Sequence, residues 1–172
     1  VLVKFIIPFG TFAVAAHSVA QRIDQLVQMP CAGIGSAAGV LAGQNLGAGK
    51  PDRASRGGWI AAGLATVFAG VASILIWFFA DSFINFYANS NTGVVNLATD
   101  FLKIQIWGYL LWGSVLSLSM CLNGAGDTFI TMITNLTAMW GVAITLAFVL
   151  SNFTELGVYG IRWAMVFGIT AR

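Results

Sequence analysis

Between Ala13 and Gln28 the polar and apolar positions recur at helical spacing. At 100° per residue, His17, Gln21, Asp24 and Gln28 fall within roughly 60° of one another, and Val19, Ala20, Ile23, Leu26 and Val27 take the opposite side. The pattern predicts a helix with one face toward water or a polar cleft and the other toward lipid or protein. Beyond Pro30 it changes to Gly35, Gly39, Gly43 and Gly47, a four-residue spacing that strips one helix face of side chains and lets another helix approach. Pro30 removes a backbone hydrogen bond beside Gly33 and Gly35, so it marks an expected bending point.

Longer apolar runs follow the same logic. A span needs about 20 apolar residues to cross a hydrocarbon core of roughly 30 Å. Residues 13–46, 59–80, 101–122 and 130–150 qualify as full spans, while 1–8 and 158–172 read as the end and the beginning of two more. The connections carry turn chemistry: Gly47 to Asp52, Ala88 to Gly93, Asn123 to Thr128 and Ser151 to Gly157. Short links imply antiparallel neighbours and hence a bundle. The expected fold is all-α, a polytopic transmembrane helix bundle.

Composition narrows the class. With 58% hydrophobic and 8% charged residues the chain falls outside soluble globular composition. A net charge of +2, without aromatics interleaved among basic residues, gives no footprint for nucleic acid. Cys31 and Cys121 stand far apart in apolar runs without a CxxC spacing, so both are expected as buried free thiols. The single histidine cannot build a metal site with them, and neither HExxH nor GxSxG occurs, so no enzyme and no cofactor is expected. The chain begins with Val and ends inside an apolar run, as a piece of a longer protein would.

Charge sets the expected orientation. Lys50, Arg53 and Arg56 crowd the first link and the 88–96 link has no basic residue, which places the first link in the cytoplasm. Lys103 and Arg162 lie just inside helices on the opposite side and weaken that asymmetry.

Several residues carry candidate chemistry. Asp24 is the one carboxylate embedded in a span-like stretch, which makes it a candidate for proton carriage or cation attraction. A straight helix puts it roughly 39 Å from Lys50, so a hydrated place at the outer mouth is the competing expectation. Arg22 points about 160° away from Asp24 and cannot pair with it along the helix. His17, near a helix start, is expected to be solvated, with a pH-reporting role as the alternative. Gln105, Tyr109, Trp112, Ser119 and Asn123 form a second stripe within about 80°, whose aromatic faces would attract organic cations or simply pack. Asn123 to Thr128 lacks the lysine and strand of a phosphate loop, and Asp127 or Thr128 serves better as a helix N-cap.

The stretch GIGSAAGVLAGQNLGAGKPDRA, preceded by FGTFAVAAHSVAQRIDQLVQMP and followed later by LNGAGDT and LGVYGIRW, resembles the multidrug and toxin extrusion family of drug/cation antiporters. The resemblance covers nearly the whole chain and looks like most of one six-helix lobe, closer to the C-terminal lobe. It implies a twelve-helix protein in the inner (plasma) membrane that exports cationic or amphipathic compounds in exchange for protons or sodium by alternating access. The implied partners are a small-molecule substrate, the lipid bilayer and the other lobe of the same chain. Read from the two polar stripes, the cleft candidates are Asp24, Gln21, Gln28, His17, Gln105, Tyr109 and Trp112, and the proline and glycine spacing make Pro30, Gly35, Gly39, Gly43 and Gly47 the packing and hinge candidates. Sodium-coupled members place carboxylates in the helix before the first full span and in the third, and no acidic residue lies between Phe101 and Leu122. The alternatives are a lipid-linked saccharide flippase of similar architecture, which wants a more cationic cavity than Arg22 supplies, and a non-transporting structural subunit.

Overall fold

The computed structural model describes residues 3–88, 92–152 and 157–172, with side chains over 5–85, 92–151 and 157–172. The links expected at 88–93 and 151–157 therefore fall partly outside the described residues. Among those described, every regular element is a helix. A short α1 (Val3–Ile6) and a 3-10 turn (Ile7–Phe9) lead into α2 (Thr11–Gly47), α3 (Pro51–Ala88) and α4 (Thr92–Gly124). The next crossing is composite: α5 (Thr128–Leu136), a π-helical segment (Thr137–Ile144) and α6 (Thr145–Asn152). A final helix, α7, covers Val158–Thr170. Four helical stretches are long and apolar enough to cross a membrane, Thr11–Gly47, Pro51–Asn85, Thr92–Gly124 and Thr128–Ser151, so the fold is an all-α transmembrane bundle.

The helices end where the local chemistry stops them. Gly49 and Gly126 adopt φ of +70° and +92°, which lets the chain leave α2 and α4 through left-handed turns that other residues resist. Asp127 is the N-cap of α5, its carboxylate accepting from the Ile130 amide at 3.5 Å. Helix α2 runs without a break through Pro30, which is exposed.

Helices α2, α3 and α4 pack against one another around small residues. Ala16, Ala20, Ile23, Val27 and Cys31 of α2 meet Ala65, Ala69 and Ile76 of α3 and Phe101, Leu102 and Ile106 of α4. The glycine ridge of α2 lies against α4: a Cβ on Gly39 would stand 2.6 Å from the Met120 carbonyl oxygen, and one on Gly43 2.8 Å from that of Gly124. Gly35 faces Met120 and Ser117 more loosely, and at Gly47 a Cβ would meet open space. The close approach thus ends at Gly43 instead of continuing through Gly47. Gly113 does the same service between α4 and α3, 2.7 Å from the Ala65 carbonyl oxygen. Cys31 is a buried free thiol as expected, whereas Cys121 is free but only half-buried.

The 130–150 span is not one regular α-helix. Within it the π segment inserts extra residues per turn, and the Thr145 hydroxyl donates to the Trp140 carbonyl five residues back at 3.3 Å. From Ala138 to Ile144 no residue is polar, so that stretch has no polar phase from which the change of period could be read. The segment turns Ala138 and Ala143 toward α7, where Gly168 makes room: its Cβ would come within 2.7 Å of the Ala143 Cβ.

Candidate functional site

Helices α2, α4 and α7 bring their charged and polar residues to one place. Ala20, Ile23 and Val27 fix the rotation of α2 by burying themselves in the three-helix core, and this carries Asp24 inward with them. The polar and buried arcs of α2 therefore overlap at Asp24 and His17 and are not opposed. Asp24 is 6% exposed and Arg162, from α7, 1%. Arg162 Nη1 donates to Asp24 Oδ2 at 3.0 Å, and the Tyr109 hydroxyl of α4 donates to Asp24 Oδ1. The Arg162 guanidinium also lies 5.2 Å over the Phe101 ring. A carboxylate so enclosed is tolerable because an opposite charge and a hydroxyl hold it. Asp24 is thus buried and ion-paired, where a hydrated side chain was the competing expectation.

This pair borders a cavity of about 280 Å³. Its polar wall is Gln21, Gln25, Gln28, Gln105 and Trp112, and its apolar wall is Ala138, Met139 and Ala143 of the π segment with Met165 and Ile169 of α7. Arg172 joins the lining, its guanidinium 5.2 Å over the Trp112 ring. Several polar atoms around it have no hydrogen-bond partner among the described residues: Gln105 Oε1, Trp112 Nε1, and Arg162 Nε and Nη2. Buried groups of this kind are normally satisfied, so their concentration at one cavity is chemically informative. The walls offer amide donors and acceptors, an indole face and a carboxylate already neutralised by a guanidinium.

Five of the seven cleft candidates, Asp24, Gln21, Gln28, Gln105 and Trp112, line this cavity. Tyr109 stands behind Asp24 as its hydroxyl donor. His17 is away from the lining and 1% exposed, with both ring nitrogens unpartnered among the described residues. Its expected solvated position is corrected: α2 packs there against its neighbours, and the helix start is not a free end. Ser119 and Asn123 border an adjoining small pocket with Asn135, which shares Trp112 and Arg172 with the first. Sequence reasoning missed Gln25, Arg162, Arg172 and the π segment. For Arg162 a signal was available, because it is a lone cation inside the apolar Val158–Thr170 run, where an ionisable group calls for a partner.

A bundle of apolar membrane-length helices enclosing a paired charge and a polar cavity defines a multi-pass membrane protein with an interior polar site. The MatE family model matches residues 1–149, and the chain belongs to that family. Over 160 residues it is 29% identical to the probable multidrug resistance protein YoeA of Bacillus subtilis, an alignment covering 93% of this chain and 34% of that protein. It is 31% identical over 166 residues to the probable multidrug resistance protein NorM of Deinococcus radiodurans, covering 94% and 37%. With the multidrug resistance protein NorM of Burkholderia vietnamiensis it shares 28% identity over 166 residues, covering 94% and 36%. The chain spans about a third of the length of these curated relatives. The family is one of transporters.

Proposed function

We propose that this chain is most of one lobe, the C-terminal one, of a twelve-helix multidrug efflux transporter. It exports cationic or amphipathic compounds in exchange for protons or sodium by alternating access, and the cavity beside Asp24 contributes to the substrate site. The observation that carries this reading is the buried Asp24–Arg162 pair at the wall of a cavity lined by amides and an indole. The printed names of the relatives support the drug-export half of it. The protein is placed in the inner (plasma) membrane with the Lys50 to Arg56 link cytoplasmic, on the charge asymmetry of the links.

Physical chemistry gives the pair a role in coupling. While Asp24 is ionised, Arg162 neutralises it and the cavity wall carries no net charge from the two. A cation that enters competes with Arg162 for the carboxylate, and a proton delivered to Asp24 removes the attraction for either. The flanking amides of Gln21, Gln25 and Gln28 bond varied substrates without imposing one geometry. Arg162 and Arg172 give the flippase alternative a more cationic cavity than the sequence indicated, but Arg162 is already neutralised by Asp24.

The test is Asp24→Asn in the full-length protein at matched surface expression, measuring efflux of cationic and neutral dyes against external pH. Cationic-dye efflux is expected to fall roughly tenfold, about 1.4 kcal/mol, with a flattened pH response and little change for neutral dyes. Unchanged cationic efflux and an unchanged pH response would contradict the reading.

A further inference from the structure

The α2–α3 turn carries a second site of different character. A cavity of about 630 Å³ opens where α2 ends and α3 begins, lined by Leu41, Gln44, Asn45, Arg53, Arg56 and Ile60. Both arginines are exposed, and neither has a carboxylate partner among the described residues, where the Asp24–Arg162 pair is the ion pair found. Two guanidiniums and the Gln44 amide converge on one recess with Asn45, whose Nδ2 donates one hydrogen to the Leu41 carbonyl at 2.7 Å and keeps its second for a ligand. Guanidinium is the side-chain group best matched to a phosphate, which it binds through parallel hydrogen bonds.

What adjoins the recess names the ligand. At 100° per residue Arg53, Arg56, Ile60, Leu64, Val67, Val71, Ile74 and Phe78 share one face of α3, within roughly 80°. From Ile60 to Phe78 every member of that face is an exposed large hydrophobic residue. The face is thus cationic for its first turn and apolar for the next five. From Ile60 to Val71 it rises about 16 Å, near half of a roughly 30 Å hydrocarbon core. A phosphate head with one-leaflet acyl chains has that length and that order of polarity.

We infer that the recess at the α2–α3 turn is a binding site for an anionic phospholipid, its phosphate held by Arg53 and Arg56 with Gln44 and Asn45, its chains lying along the α3 face from Ile60. Zwitterionic lipid fits less well, because its own ammonium offsets the charge that the two arginines attract. The site is separate from the Asp24 cavity and does not depend on what that cavity transports.

The full-length protein is released from nanodiscs of equal phosphatidylglycerol and phosphatidylcholine, and retained lipid is counted by native mass spectrometry. Phosphatidylglycerol is expected to be retained several-fold over phosphatidylcholine. That preference is expected to be lost in R53Q/R56Q, to weaken in each single variant, and to persist in R22Q, which removes another exposed arginine, on α2. The single variants decide the matter if the double variant does not fold. Equal retention of the two lipids, an unchanged preference in the arginine variants, or an equal loss in R22Q overturns the inference. Displacement of phosphatidylglycerol by soluble glycerol phosphate at millimolar concentration would also overturn it, since the recess would then be a phosphate site that owes nothing to the apolar face.

Discussion

Asp24 receives the Tyr109 hydroxyl on one oxygen and the Arg162 guanidinium on the other, while Arg162 keeps two nitrogens without partners among the described residues. Removing either member of such a buried pair leaves the other charge uncompensated, which typically costs about 3 to 5 kcal/mol. Asp24→Asn and Arg162→Gln are each expected to lower the unfolding temperature of the full-length protein in detergent. The double variant should lose less than the sum of the two, by about 1 to 3 kcal/mol of coupling. Strictly additive losses would show that the two side chains do not interact. Sequence periodicity placed Asp24 beside Gln21 and Gln28, and the structure puts these three on one cavity. It could not supply Arg162, 138 residues away, because a tertiary pair leaves no trace in the phase of a single helix.

At the scale of elements, the four-residue glycine spacing of α2 is legible in the sequence as a close contact, and the structure supplies its partner, the Met120 to Gly124 end of α4. The same spacing does not tell where the contact stops. Gly39→Leu is expected to lower folded yield and to destabilise the protein by about 1 to 3 kcal/mol, as overpacking does elsewhere. Gly47→Leu, with open space around its Cβ, should change stability little. A Gly39→Leu protein as stable as wild type would remove the α2–α4 contact from the account. The π segment of the fourth crossing was not legible, since from Ala138 to Ile144 no residue is polar and a shift of period there changes nothing that hydropathy can register. Yet that segment supplies Ala138, Met139 and Ala143 to the cavity wall, so the part of the site least visible in sequence is its apolar half.

Over the whole molecule, membrane-length helices carry large hydrophobic residues outward and keep alanines, glycines and the paired charge inside. Overall hydropathy made this arrangement legible, because spans and turns differ so strongly in composition. The cavity could not be located that way, since α2, α4, the π segment and α7 form it and meet only in three dimensions. The proposed account places substrate in it, so reducing its volume without touching Asp24 or Arg162 is the direct test. Gln25 and Met139 line it with exposed side chains, so larger residues there fill space without disturbing the core. The measurement is fluorescence titration of a cationic dye into purified full-length protein, comparing wild type with Gln25→Trp and Met139→Trp at equal thermal stability. The account predicts a Kd raised roughly tenfold or more in both variants, about 1.4 kcal/mol or greater; a Kd equal to wild type in both would show that the dye binds elsewhere.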